Sequence, residues 1–309
     1  RPLVRAAHPD RWWGLVDTSE GVTPVVDPAA PIPLSGSSLS GLVTCPLRWF
    51  LEHEAHASAA TSTDMGFGKV VHALADEVAT GRTPAEAAAL DARLDVVWRH
   101  LAYESGWRSD QQREAARDAL GRFLLWHEAQ RGRRLVATEV PFVGEIAVGD
   151  RTVKLRGFVD RVEIDDDGRV RIVDFKTGRN KASRIGEHPQ LGSYQLAVAA
   201  GALDEAVRAG GGPADAPPGG AELVQLRRDA GTDSAGPAEP GQPPRAPEVQ
   251  EQTALVSGGG EPSWIENLLS GAVDRIDHES FPPTPGDACG PCAFRRACPA
   301  QPEGRQVIT

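Results

Sequence analysis

Residues 157–176 read GFVDRVEIDDDGRVRIVDFK. Branched residues fill the runs on either side of the DDDG stretch at 165–168, which predicts a β-hairpin. Side chains alternate faces along a strand, so Asp174 and Lys176 share one face. With a three-residue loop, Asp166 to Gly168, Gly168 supplies the positive φ of a bulged turn. Asp165 then pairs with Arg169, and Asp160 falls opposite Asp174. Like charges facing each other across a ladder destabilise it. The neighbours Val159, Val162, Ile172, Val173 and Phe175 make the setting half dry. Such a pair wants a cation, and a hard divalent ion such as Mg2+ takes carboxylates together with water and substrate phosphate. Lys176 would aim its ammonium at the attacking water or at the phosphate. Metal-assisted phosphodiester hydrolysis needs these parts: a Lewis acid, a water of lowered pKa and a cation for the developing charge. The same residues also fit a solvated hairpin in which Asp160 pairs with Arg161 or Arg156, and Asp174 with Lys176. A two-residue turn would move Asp160 to the other face.

The residues just past the hairpin favour the metal site over the solvated hairpin. Lys176, Arg179, Lys181 and Arg184 crowd residues 176–184, an acid-free run of bases in a chain of net charge −10. Such a stretch suits a phosphate backbone. The 43 acids against 33 bases exclude a generic nucleic-acid sponge but not a local basic groove. At 309 residues, 40% hydrophobic and 25% charged, the chain has the apolar mass for a real core. No run of 18 apolar residues is present, so no membrane-spanning helix is expected. The chain opens on Arg1 with no charged-then-apolar leader, and the expectation is a piece of something longer.

Outward from the hairpin, β texture begins at Leu135 and predicts a three-strand antiparallel meander, with Gly149-Asp150 as its first turn. A helix through Leu191, Tyr194 and Val198 comes next, then a strand over 221–227. On the N-terminal side, residues 1–34 read as a proline-punctuated linker or arm. Ser35 to Ser38 offer an N-cap to a helix leading into Cys45-Pro46. Pro46 biases Cys45 away from the α region, which places it at a helix junction. Gly66-Phe67-Gly68 precedes a helix whose stripe is Val71, Leu74, Ala75 and Val78, with His72 beside it. Residues 84–130 continue helically as packing scaffold. Stretches 201–219 and 229–248 are too poor in large apolar side chains to order themselves and read as flexible insertions. A last helix covers 264–273.

The chain has four cysteines. Cys289, Cys292 and Cys298 are clustered, and Cys45 stands far upstream. This is not a disulfide-dense scaffold. Four thiolates can hold zinc or an iron–sulfur cluster, and spacing alone does not choose. A structural zinc site usually shows two close pairs, whereas here one ligand stands alone.

Asp160 followed by Asp174-x-Lys176 on the next strand resembles the signature of the PD-(D/E)XK nucleases. It is similar in detail to their RecB-like branch. His72 matches that branch's upstream histidine, the run 157–163 its second motif, and Gln190-x-x-x-Tyr194 its downstream motif. Cys45-Pro46 with Cys289, Cys292 and Cys298-Pro299 resembles the iron–sulfur staple of a subset of these nucleases. The lead-in at Trp12 and the closing stretch to Arg305 resemble the nuclease module of actinobacterial helicase–nucleases of the AdnA/AdnB type. The resemblance implies an α/β (α+β) restriction-endonuclease-like core, a mixed sheet flanked by helices. It divides the chain into an arm (1–34) and a nuclease domain (35–309). Within the domain lie a helical part (35–130), a catalytic core (135–228), a flexible insertion (229–260) and a C-terminal helix with the cysteines (261–309). It implies Mg2+ or Mn2+ on His72, Asp160, Asp174 and the Phe175 carbonyl. Lys176 would orient or activate the attacking water, and Gln190 and Tyr194 would shape phosphate and DNA contacts. A [4Fe-4S] cluster on Cys45, Cys289, Cys292 and Cys298 would tie the ends of the domain together. The implied partners are single-stranded DNA ends and a helicase motor, in the same polypeptide or a partner subunit, in the cytoplasm. No Walker A sequence occurs, so any motor lies outside this chain. An inactive nuclease-like module that only guides DNA and a zinc-stapled scaffold are the rival readings. Glu139 sits where the family often has an acid, and its role is open.

Overall fold

The computed structural model of the chain describes residues 23–57, 63–101, 105–129, 132–231, 245–256 and 262–304. The elements in order are β1 (Ile32–Leu34), α1 (Gly36–Thr44), α2 (Pro46–His53), α3 (Thr63–Ala79), α4 (Ala87–Trp98), α5 (Gly106–Glu128), β2 (Arg134–Val148), β3 (Arg151–Ile164), β4 (Val170–Lys176), α6 (Pro189–Ala199), α7 (Asp204–Ala209), β5 (Pro218–Asp229), β6 (Pro247–Gln252) and α8 (Trp264–Asp277). Two compact units result. One contains 41–59 and 272–309; the other contains 32–40 and 60–271.

The larger unit is built on a mixed six-strand sheet in the order β1-β3-β4-β5-β6, with β2 on the free side of β3. The meander is as expected: β2 and β3 turn at Gly149-Asp150, and β3 and β4 turn at 166–168. Gly168 has φ 75°, and the Asp165 backbone N–H donates to the Arg169 carbonyl. β5 runs parallel to β4 because α6 and α7 intervene and return the chain to the same end of the sheet. β3 forks the sheet. Its residues 153–155 pair with β1, and its residues 161–164 pair with β4 on the same flank. Among the described residues, no strand pairs with 156–160 on that flank.

Helices α3, α4 and α5 cover one face. Val71, Leu74, Leu94, Leu120 and Phe123 pack there against Val173, Phe175, Val224 and Leu226. Fully burying side chains of this size contributes about 1.5–3 kcal/mol each. Under α5 lies a buried ionic layer. Arg161 is 1% exposed and donates to Glu163 at 2.7 Å, and Arg133 reaches Glu222 at 2.9 Å. Adjacent strand residues face opposite ways, so Arg161 belongs to this layer and does not pair with Asp160. Helix α6 covers the other face, with Leu191 to Val198 buried.

The fold corrects four expectations. Residues 32–34 of the expected arm are a strand, made so by parallel pairing with β3. The 66–68 stretch lies inside α3, which starts at Thr63. Residues 201–219 include α7, whose Val207 is buried. The expected flexible insertion 229–260 contains β6, which completes the edge of β5. The Trp12 lead-in, the closing residues from 305, and 232–244 and 257–261 lie outside the described residues.

In the smaller unit, Trp49 and Phe50 stack on Phe281 at 5.6 and 5.0 Å. Cys45 is the N-cap of α2 with extended backbone, φ −158° and ψ 101°, as Pro46 requires. Among the described residues, no helix is long and apolar enough to cross a membrane.

Candidate active site and metal centre

The fork in the sheet opens a cleft of about 520 Å³. The start of α1 (Ser35, Gly36, Ser37) lines one part and the end of β4 (Asp174 to Gly178) another, with His72, Asp160, Gln190 and Tyr194 between. All six predicted catalytic side chains therefore share one cavity.

Register puts Asp160 across from Asp174, continuing the pairs Arg161↔Val173 and Val162↔Ile172. The ladder itself stops at Arg161, which relieves the expected charge conflict. Past that point Asp160 Oδ2 accepts the Phe175 backbone N–H at 2.7 Å, and its Oδ1 lies 3.4 Å from His72 Nδ1. Burial lowers the affinity of His72 for its proton. The hydrogen bond and charge of Asp160, backed by Asp174 and Glu139, outweigh this and raise its pKa. His72 is held edge-on to the Phe175 ring, with centroids 6.3 Å apart.

Asp174 is 3% exposed. Burial raises its pKa, opposed by the charge of Lys176. Lys176 Nζ lies 2.7 Å from Asp174 Oδ2 as an ion pair and donates to Gln190 Oε1 at 2.7 Å. Apart from that ion pair, Asp174 Oδ2 is buried without a well-directed hydrogen bond. Gln190 Nε2 donates to Asp174 Oδ1 at 3.0 Å and to the Tyr194 hydroxyl at 2.7 Å. The Tyr194 hydroxyl donates in turn to Asp174 Oδ1 at 3.3 Å. Burial, and then the charge of Asp174, raise the tyrosine pKa, so it stays a neutral donor. The spacing of Gln190 and Tyr194 along α6 puts both on one helix face. Their polar atoms engage Asp174 and Lys176. Gly157 allows this: a Cβ there would come within 3.0 Å of Phe142, whose ring packs edge-on against Tyr194 at 6.0 Å.

Glu139 is the residue that sequence reasoning named without a role. His72, Glu139 and Asp160 offer ligand atoms within 4.8 Å of one another. One imidazole and two carboxylates fit a divalent ion better than they fit each other, because the two charges repel. Glu139 has φ 48°, the left-handed region, in mid-strand. Such a backbone costs on the order of 1–3 kcal/mol in a non-glycine residue. The signal was available: counting back from a two-residue turn at Gly149-Asp150 puts Glu139 across from Asp160.

The run of bases is partly neutralised. Lys181 pairs with Glu248 of β6 at 2.5 Å, and Lys176 with Asp174, which leaves Arg179 and Arg184 as its exposed cations. In the smaller unit, Cys45, Cys289, Cys292 and Cys298 line one small pocket with Arg48 and Arg295, and all four are free thiols.

An α/β core with two acids and a lysine on adjoining strands defines a class of metal-dependent phosphodiesterase folds. The model of the PD-(D/E)XK nuclease superfamily matches residues 33–299, and the chain belongs to that superfamily. No curated protein matches significantly. Among solved structures, one titled "Crystal structure of SSO0001" is similar over 88% of each chain, at 14% identity and a TM-score of 0.36. That likeness is too faint to carry an argument.

Proposed function

We propose that this chain is a divalent-metal-dependent DNA nuclease that hydrolyses phosphodiesters in single-stranded ends. One observation carries the proposal: Asp160, Asp174 and Lys176 converge with His72 on a single cleft, and Asp160 and His72 offer ligand atoms to one possible cation site together with Glu139. His72, Glu139, Asp160, Asp174 and the Phe175 carbonyl are the groups that would hold Mg2+ or Mn2+. When bound, the ion supplies a Lewis acid for the phosphoryl oxygen and lowers the pKa of a nucleophilic water. Lys176 offsets charge developing on the phosphate and orients the attacking water. Gln190 and Tyr194 fix Asp174 and the Lys176 ammonium through the hydrogen bonds above, so they act as positioning residues. Phe175, wedged between Phe123, Trp126 and His72, keeps the imidazole turned toward Asp160.

The test is cleavage of end-labelled single-stranded DNA with and without Mg2+, beside Asp174→Ala and Lys176→Ala. Metal-dependent cutting that both variants lose, with a cooperative thermal unfolding transition retained, is the expected result. Full activity in Lys176→Ala sinks the assignment. Unaltered DNA binding by a wild-type protein that never cuts would favour a DNA-guiding scaffold.

The cysteines and the family resemblance support two further roles. The four thiols at one pocket, none of them in a disulfide, are proposed to hold a [4Fe-4S] cluster as a structural staple between the start and the end of the domain. The chain is proposed to serve a helicase motor, in the same polypeptide or a partner subunit, as its nuclease module in the processing of double-strand breaks.

A further inference from the structure

The β2–β3 ribbon has one buried and one open side. Phe142, Val159 and Leu155 point inward, while the alternate positions point out. Along the open side the register places Glu139 across from Asp160, then Pro141 across from Phe158, then Val143 across from Arg156. Counting along the ribbon, the metal-site acids are thus followed by an apolar step and then by a cation. Phe158 is 63% exposed and Val143 57% exposed. A lone exposed apolar side chain is ordinary. Phe158 is not placed like one: it lies two residues from Asp160 on the same face, about 6.7 Å along the strand, and it lines the same cleft.

We infer that this open face is a track for single-stranded nucleic acid, on which Phe158 stacks a nucleobase next to the scissile phosphate and Arg156 takes a neighbouring phosphate. The inference rests on the nuclease reading and adds the side chains that would hold its strand. An aromatic ring beside a phosphate site offers a surface to an unpaired base, and every base has a π-face to give it. A duplex keeps those faces stacked inside and has none to offer. Pro141, across the ladder, and Val143, diagonal to Phe158, widen the platform. Val143, not an acid, lies across from Arg156, so the guanidinium is left to a ligand. Lys154, one step further, faces Glu145 in the register and is assigned no phosphate.

The experiment uses the full chain and fluorescence anisotropy with a labelled oligothymidylate, in EDTA so that binding is read without cleavage. A second oligomer of the same length has an abasic backbone. Phe158→Ala is expected to weaken oligothymidylate binding about 5- to 100-fold, and Phe158→Trp to bind like wild type. On the abasic strand, wild type and Phe158→Ala are expected to bind equally. Arg156→Ala should weaken both oligomers and lower the salt slope by about 0.7. An unchanged affinity in Phe158→Ala, or the same loss on the abasic strand, overturns the inference. A Mg2+ cleavage arm separates the two readings: a base-dependent Phe158 effect in a protein that does not cut keeps the track and removes the nuclease.

Discussion

Glu139 is where local backbone preference and chemistry disagree. A left-handed glutamate in mid-strand, aimed at a second carboxylate, destabilises the metal-free fold twice over, by backbone strain and by repulsion. Glu139→Gly removes both, so its metal-free melting temperature should equal or exceed that of wild type while metal-dependent cleavage falls. Thermal melts and a nuclease assay on the same sample check this, and a destabilised variant would argue against strain. His188 gives a pH signature. It caps α6, accepting from the Leu191 N–H, and burial, then the charge of Lys176, hold its pKa down to about 4. Unfolded, it takes its proton near pH 6.5. The unfolded chain therefore protonates first as pH falls, and this part of the stability, whole above about 6.5, is lost between about 6.5 and 4. His188→Asn keeps a capping acceptor without a titrating group. Its urea midpoint should drop less than that of wild type across that window. At this scale Asp160, Asp174 and Lys176 were legible because their placement depends only on a strand's two-residue period and one glycine turn. The interplay of Gln190 with Lys176 was not, since it depends on how far α6 leans over β4.

Among the elements, the meander and its register were readable from branched runs and turn residues. Strand β6 was hidden because its inward positions include amides. Gln250 donates to the Ala182 carbonyl at 2.8 Å and accepts the Ala182 N–H at 3.1 Å, while Gln252 donates to the Ile185 carbonyl at 2.8 Å. A low-apolar strand thus holds the segment just after Lys176, doing with side-chain amides what a neighbouring strand does with its backbone. Gln250→Ala leaves both Ala182 groups without these partners and should cost about 1–3 kcal/mol, read from urea unfolding. It should also raise the KM for DNA, because that segment carries Arg179 and Arg184. A variant with wild-type stability would show that water replaces the amide without cost.

For the molecule as a whole, the smaller unit gathers two segments far apart in sequence, 41–59 and 272–309. The resemblance carried by the cysteines, not their spacing, pointed to that gathering; spacing alone does not choose between zinc and an iron–sulfur cluster, since both accept four thiolates. Cys45→Ser should strip iron from anaerobically purified protein and lower its thermal midpoint, measured by metal analysis and melting. A colourless, zinc-loaded wild type would refute the cluster. The fork in the sheet bears on how such a chain can change over time. The bare flank of β3 is bounded by a strand docked at 153–155 and another at 161–164. Between those anchors, substitutions at the outward positions Arg156 and Phe158 alter what the cleft contacts and leave its frame alone. One residue added or removed there shifts the side chains on one side of the change to the reverse side of the sheet and carries Asp160 away from His72 and Glu139. Apart from Gly157 and Asp160, this stretch can drift in spelling but not in length.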